Sequence, residues 1–444
     1  MLPIGRTTTP AIPGLRELPA LAERFTAVRE RTLELCAPLS AEDHVVQPMT
    51  DASPAKWHLA HTTWFFEAFV LGGEPFDPAF EFLFNSYYEA VGPRVPRARR
   101  GMITRPSLDR VCAYRAAIDR RVARALADDS VDDDARSRLE LGLHHEQQHQ
   151  ELILTDLKYL LGTQPLSPAY CELRRELGRG AHAAPEPLAW HTIDGGIVEI
   201  GAPGAGFAFD NERPRHRVLI SPYRLATRPI ANAEVLAFIA DGGYRDHRLW
   251  LSDGWQLAQT ERWEAPLYWT RRDGDHALYD LTGVRAVDPG ETACHLSLYE
   301  ADAIARWLGA RLPTEAEWEH AAAQSSPDSS EGNDDNFAGN FADAGRLHPE
   351  RAVARPAPSS SATPLAQLYG DVWEWTASSY SPYPGFRPLA GALGEYNGKF
   401  MSGQNVLRGG SCLTPAGHVR LSYRNFFPPS ARWQMSGVRL AMDA

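Results

Sequence analysis

His144-His145-Glu146-Gln147-Gln148-His149 lies in the middle of Asp134–Leu161, a segment that reads as helix on both sides. His145 and His149 are four residues apart, so on a helix their imidazoles project from one face and can grip one ion. Working outward, apolar residues recur at helical spacing from Leu18 to about Gly162, with Gly and Pro gathered in a few places. The spacing predicts helices near Leu18–Cys36, Pro54–Leu71, Ser107–Ala127 and Asp134–Leu161. Ser53 and Ser107 are the expected N-caps of the second and third. The first half of the chain is therefore expected to be an all-α bundle. Gly72–Pro106 is a long connection carrying Tyr87, Tyr88 and a run of arginines from Arg94 to Arg105; connections of that length in a compact domain are usually functional.

A second histidine signal sits on the second expected helix, at Trp57-His58-Leu59-Ala60-His61. His61 is embedded among Trp64, Phe65, Phe66 and Phe69, which makes it the better ligand candidate, while His58 faces water or supports the ligands from behind. Metal sites in bundles are built from side chains on facing helices. Three imidazoles from two helices leave coordination positions free for substrate and O2. His145-Glu146-Gln147-Gln148-His149 also matches the H-E-x-x-H pattern of zinc peptidases, with Glu146 as general base and Glu172 as an available third ligand. A third reading is a binding module with a vestigial site.

Composition narrows the function classes. The 444 residues are 43% hydrophobic and 23% charged, as in ordinary soluble proteins, and two domains are expected. A net charge of −11 argues against a grip on nucleic acid or anionic membranes. Five scattered cysteines show no C-x-x-C spacing, which fits a reducing compartment. With no apolar run of membrane-spanning length, the expected location is the cytoplasm.

Between Gly162 and Pro187 the composition shifts to scattered Pro, Gly and Ala around Glu172–Glu176. The expected organisation is a helical metal-binding domain over residues 1–165, a linker over 166–189 and an irregular α+β domain over 190–444. In the last, Gly196–Ile200 and His216–Ile220 read as strands, and Ser325–Asp335 and Pro356–Thr363 as surface loops.

Ser53-Pro54-Ala55-Lys56-Trp57-His58-Leu59-Ala60-His61-Thr62-Thr63-Trp64-Phe65-Phe66-Glu67, with His145 to Glu151, resembles the DinB-like four-helix domain of the ergothioneine-biosynthesis sulfoxide synthases (EgtB-like). The second half resembles the formylglycine-generating-enzyme fold, which is C-type-lectin-like. Its marks are Gly195 to Gly201, Arg311 to Glu319, Gly370-Asp371-Val372-Trp373-Glu374-Trp375-Thr376, Arg408-Gly409-Gly410-Ser411 and Gly437-Val438-Arg439.

The resemblance implies an Fe(II) site formed by His61, His145 and His149, and a reaction joining hercynine to a thiol with O2 to give a sulfoxide. It implies that Gln148 hydrogen-bonds the substrate imidazole and that Tyr87 or Tyr88 supplies a proton or electron; the alternative for the tyrosines is an aromatic loop packed between domains. Asn425, Phe426 and Phe427 resemble a segment that closes over hercynine, with Asn425 on its carboxylate and aromatic faces toward its trimethylammonium group. Some relatives carry Asn-Trp-Asp there. The missing acid argues against γ-glutamylcysteine as donor and favours free cysteine, with Arg94, Arg97 or Arg100 as carboxylate partners. Two related branches stay open: one makes selenoneine from a selenosugar, and the other attaches cysteine to histidine itself. Only Cys412 follows the Gly409-Gly410-Ser411 turn, which argues against the copper-dependent chemistry of true formylglycine-generating enzymes.

Overall fold

The computed structural model describes residues 18–171, 185–204, 206–325, 337–353 and 365–444. The linker core with Glu172, and most of the two expected surface loops, lie outside the described residues. The chain divides into two compact units. The first comprises residues 1–160 with 203–213 and 385–399; the second comprises 161–202, 214–384 and 400–444. Two short segments from beyond residue 190 thus belong to the helical unit.

The helical unit contains α1 (Leu18–Cys36), α2 (Ala55–Phe66), α3 (Ala79–Phe84), α4 (Leu108–Ala127) and α5 (Asp133–Thr163). The four long helices fall where apolar periodicity placed them. Ser107 caps α4 by accepting the backbone N–H of Arg110. Ser53 is not the cap of α2: that position is Pro54, with no side-chain cap bond. The Ser53 hydroxyl instead accepts from Arg100 at 2.9 Å. The Gly72–Pro106 connection contains α3 and a 3-10 turn at Arg97–Met102, short elements whose six residues each are too few to show a period. After Phe66, α2 continues as one π turn over Glu67–Leu71.

A buried ionic knot fixes the four long helices against one another. Glu146 on α5 accepts hydrogen bonds from Arg29 on α1 (2.8 Å), Arg115 on α4 (2.5 Å) and Thr32 on α1 (2.6 Å). Arg29 also reaches Asp119 on α4 (2.7 Å) and Thr63 on α2 (2.9 Å). Burial pushes the Glu146 carboxyl up, but Arg115 and Arg29 outweigh it and hold the group at about 2. A close approach between α2 and α5 depends on Gly142, where an added Cβ would lie 2.6 Å from the Phe66 ring and 3.0 Å from the Phe65 ring.

The second unit is the irregular α+β fold expected from its short strands and turns. Its strands are β1 (Trp190–Ile193), β2 (Gly196–Ile200), β3 (His216–Ile220), β4 (Tyr223–Ala226), β5 (Trp269–Arg272), β6 (Asp275–Asp280), β7 (Gly283–Ala286), β8 (Trp373–Ser379), β9 (Asn405–Arg408), β10 (Asn425–Phe427), β11 (Ser436–Gly437) and β12 (Ala441–Asp443). They form sheets of order β1-β4-β12, β10-β9-β8-β11, β2-β3 and β5-β6-β7. Helices α6 (Asn232–Ala240), α7 (Ser252–Thr260), α8 (Leu298–Trp307) and α9 (Glu315–Ser325) accompany them.

Many sequence marks of this unit are structural. Glu374 on β8 is fully buried, pairs with Arg439 at 2.9 Å and accepts the Trp318 indole N–H at 2.6 Å. Arg439 also donates to the carbonyls of Ala226, Ala366 and Gln367. Arg408 pairs with Glu319 of α9 at 2.5 Å. At Gly409 (φ +98°) a Cβ would meet the Leu368 carbonyl at 2.5 Å, so the turn needs a glycine.

Candidate metal centre

Helix α2 presents His58 and His61, three residues apart, and α5 presents His145 and His149, four apart. One ring nitrogen from each of His61, His145 and His149 lies within 4.8 Å of the others, and all three residues are buried. Ring centroids are 5.0 Å apart for His61 and His145, 4.9 Å for His61 and His149, and 4.6 Å for His145 and His149. Burial depresses all three imidazoles: His145 falls to about 3, and His61 and His149 lie well below their ordinary value. At neutral pH each is therefore uncharged, the ligating form.

The hydrogen bonds orient those rings. His61 Nδ1 lies 2.6 Å from the carbonyl oxygen of Phe84, the last residue of α3, so Nδ1 carries the proton and Nε2 keeps a lone pair. That Nε2 is buried and without a hydrogen-bond partner, as are both ring nitrogens of His145. Orphaned buried polar atoms are costly, and here His61 and His145 each bring an unpartnered ring nitrogen to the point that a nitrogen of His149 also reaches, which is the donor set of a cation site. The residues present therefore fit a divalent metal held by three neutral imidazoles. No carboxylate joins the group among the described residues, so coordination positions remain for exogenous ligands.

An aromatic wall surrounds the cluster. Trp57 stacks on His61 (4.5 Å, 13°), Phe65 lies 4.8 Å from His145, and Trp64 lies 5.8 Å from His61. The Arg100 guanidinium sits 3.4 Å over the Trp57 ring. Burial and the charge of Arg97 pull its pKa down to about 9. Arg94 is engaged by Glu89, and Arg97 is exposed. Tyr88 is fully buried, its hydroxyl lacks a hydrogen-bond partner, and burial with Tyr87 beside it holds the phenol well above its ordinary value. Its ring lies 5.8 Å from Trp64 and 5.0 Å from Tyr87. Gln148 is half-buried on α5.

Of the two readings of His58, the structure places it behind the ligands, buried beside His149, and not in water. Other contributors escaped the sequence reading. Within the helical unit, Tyr396 lies edge-on to His145 (5.5 Å), stacks on Phe209 (5.6 Å, 16°) and approaches Tyr87 (5.9 Å). Phe207 stacks on His144 at 3.9 Å. The two segments carrying these residues are joined by Asn397, which donates to Asp210 at 2.7 Å. No local pattern marks them, since their partners are remote in sequence. Asn425, Phe426 and Phe427 form β10 in the second unit, where all three are half-buried and Phe426 stacks on Tyr380 at 4.0 Å.

Comparison with known proteins bears on what this centre serves. Residues 24–153 match the DinB superfamily and residues 182–444 match the sulfatase-modifying factor enzyme 1-like domain. The chain is 34% identical over 450 residues to a hercynine oxygenase of Mycolicibacterium thermoresistibile, covering 95% of this chain and 94% of that one. The chain belongs to the hercynine oxygenase family. Other hercynine oxygenases similar to it come from Mycolicibacterium smegmatis (34% identity, 95% of this chain and 98% of that one) and Mycobacterium tuberculosis (35%, 88% and 91%). In this member of the hercynine oxygenases, Glu146 is spent on Arg29, Arg115 and Thr32, so the zinc-peptidase reading loses its general base. No helix among the described residues is long and apolar enough to cross a membrane.

Proposed function

We propose that this chain joins hercynine to a thiol in an iron(II)- and O2-dependent reaction of ergothioneine biosynthesis. The overall step balances as one C–H and one S–H bond lost and one C–S and one S–O bond formed. O2 takes up four electrons, giving one oxygen to the sulfoxide and the other to water. The observation that carries the reading is the buried group of His61, His145 and His149, with unpartnered ring nitrogens on His61 and His145, in a chain of this family.

Iron(II) held by these residues supplies Lewis acidity toward the thiol and electrons toward O2. The chain's own residues do the rest. Three neutral imidazoles leave the full positive charge of the ion to attract a thiolate, and Trp57, Trp64 and Phe65 keep the surroundings apolar. The Tyr88 hydroxyl, or that of Tyr87, holds the proton that the reaction moves. Gln148 orients the substrate imidazole. Asn425 binds the carboxylate of hercynine, and Phe426 and Phe427 face its trimethylammonium group. For the donor, free cysteine is preferred over γ-glutamylcysteine or a selenosugar, with its carboxylate paired to Arg94, Arg97 or Arg100. Arg100 is favoured by its burial against Trp57, which itself stacks on His61.

The test is turnover by iron-loaded protein with each donor in turn, compared with His61→Ala, His145→Ala and His149→Ala. Each substitution is expected to abolish iron binding and coupling while the helical circular dichroism persists. Full activity in any of the three contradicts the assignment.

A further inference from the structure

Behind the three imidazoles lies a second buried polar layer. Seven residues beyond His149, α5 carries Asp156; three residues before His61, α2 carries His58. At about 3.6 residues per turn these spacings keep each pair on one helix face. His58 Nδ1 is 2.7 Å from His149 Nδ1, and His58 Nε2 is 3.1 Å from Asp156 Oδ2. The same Asp156 oxygen accepts the Ser53 backbone N–H at 2.8 Å. Relative exposures of 2% for His58, 6% for Asp156 and 5% for Ser53 keep water out of the chain of bonds.

The hydrogen-bond directions follow from what each group can do. A carboxylate oxygen only accepts, so His58 donates from Nε2; in the neutral imidazole its Nδ1 is then the acceptor, and His149 donates from its own Nδ1. His149 is left with its Nε2 lone pair for an ion. The three imidazoles are consequently backed in three ways. His149 is backed by a carboxylate through a second imidazole. His61 is backed by the neutral carbonyl of Phe84, and both ring nitrogens of His145 lack hydrogen-bond partners.

We propose that Asp156 and His58 are positioning residues that fix the tautomer of His149 and make it the strongest electron donor of the three imidazoles. This rests on the three-histidine iron site proposed above. A negative charge two hydrogen bonds away draws the Nδ1 proton of His149 toward His58 and raises the basicity of Nε2. The gain is larger toward a trivalent than a divalent ion, so the relay favours the oxidised state and eases electron release to O2. One imidazole interposed between ligand and carboxylate keeps the acid itself out of reach of the metal.

The deciding experiment compares the full-length chain with Asp156→Asn, which keeps an acceptor oxygen for His58 and Ser53 but removes the charge. Measured quantities are the affinity for iron(II), by anaerobic titration, and the midpoint potential of the bound iron. The expected result is an affinity lower by about 10-fold and a higher potential, with unchanged circular dichroism. His58→Gln, whose side-chain oxygen can still accept from His149, should bind iron more tightly than His58→Phe. An Asp156→Asn protein with wild-type affinity and potential overturns the relay alone. A wild-type chain that binds no iron overturns the metal site and the relay together.

Discussion

Glu146, the residue next to His145 on α5, accepts a hydrogen bond from Arg29 of α1 at 2.8 Å in the interior of the helical unit. Adjacent residues on a helix point about 100° apart, and here one imidazole enters the metal cluster while the next carboxylate turns to the ionic knot. Removing one partner of a buried ion pair strands the other charge and costs about 3–5 kcal/mol. Glu146→Ala is therefore expected to destabilise the protein by that order in urea denaturation, and no peptidase activity should depend on Glu146.

The same carboxylate sets an acid limit. Its folded value of about 2 lies below the ordinary glutamate value of about 4.3. A group depressed in this way stabilises the fold above its unfolded value, and the contribution fades as pH falls from there toward 2. Denaturation midpoints should drop between roughly pH 5 and 2, and Glu146→Gln, although less stable at pH 7, should lose less over that range. Equal slopes for the two proteins would remove Glu146 as the source.

Gly142 tests the packing of the two ligand helices. Alanine at an exposed helix position would add about 1 kcal/mol of stability. Here its Cβ would meet the Phe66 and Phe65 rings, and Phe65 also lies against His145. Gly142→Ala should lower stability by on the order of 1–3 kcal/mol and weaken iron binding, read by thermal denaturation and anaerobic titration. A gain in melting temperature would contradict this packing argument.

Tyr88 separates stability from chemistry. Its buried hydroxyl has no hydrogen-bond partner, so Tyr88→Phe should leave stability unchanged or slightly raised. If that hydroxyl moves a proton in the reaction, sulfoxide formation should slow by about 100-fold or more, or give way to oxidation of the thiol alone. Unchanged product and rate would return Tyr88 to a packing role.

A latch holds the tyrosine loop. Glu395 accepts the backbone N–H groups of Glu89 (3.0 Å) and Ala90 (2.9 Å), while Lys399 pairs with Glu395 at 2.9 Å and donates to the Tyr87 carbonyl. With each bond worth about 1 kcal/mol net, Glu395→Ala should speed hydrogen exchange at these two amides by roughly fivefold while α2 and α5 stay protected. No change in exchange there would mean that the loop holds itself.

What the sequence showed was whatever repeats locally. The four long helices were legible because apolar spacing persists for many turns, and His61, His145 and His149 stood out on two of them. The six-residue α3 was not legible, although its last carbonyl orients His61. Nor was the relay, because His58 and Asp156 lie 98 residues apart and meet only when α2 packs on α5. Ser53 misled for a similar reason: its sequence position suits an N-cap, but buried Arg100 claims its hydroxyl. Tyr396 and Phe209 join the helical unit from remote segments that no spacing rule connects to it.

The most direct test of the central claim is to load the chain anaerobically with iron(II), add hercynine and cysteine, admit 18O2 and read the products by mass spectrometry. The account predicts hercynyl-cysteine sulfoxide carrying one 18O atom. Iron-loaded protein that consumes no O2 and gives no coupled product with cysteine, γ-glutamylcysteine or a selenosugar would contradict it.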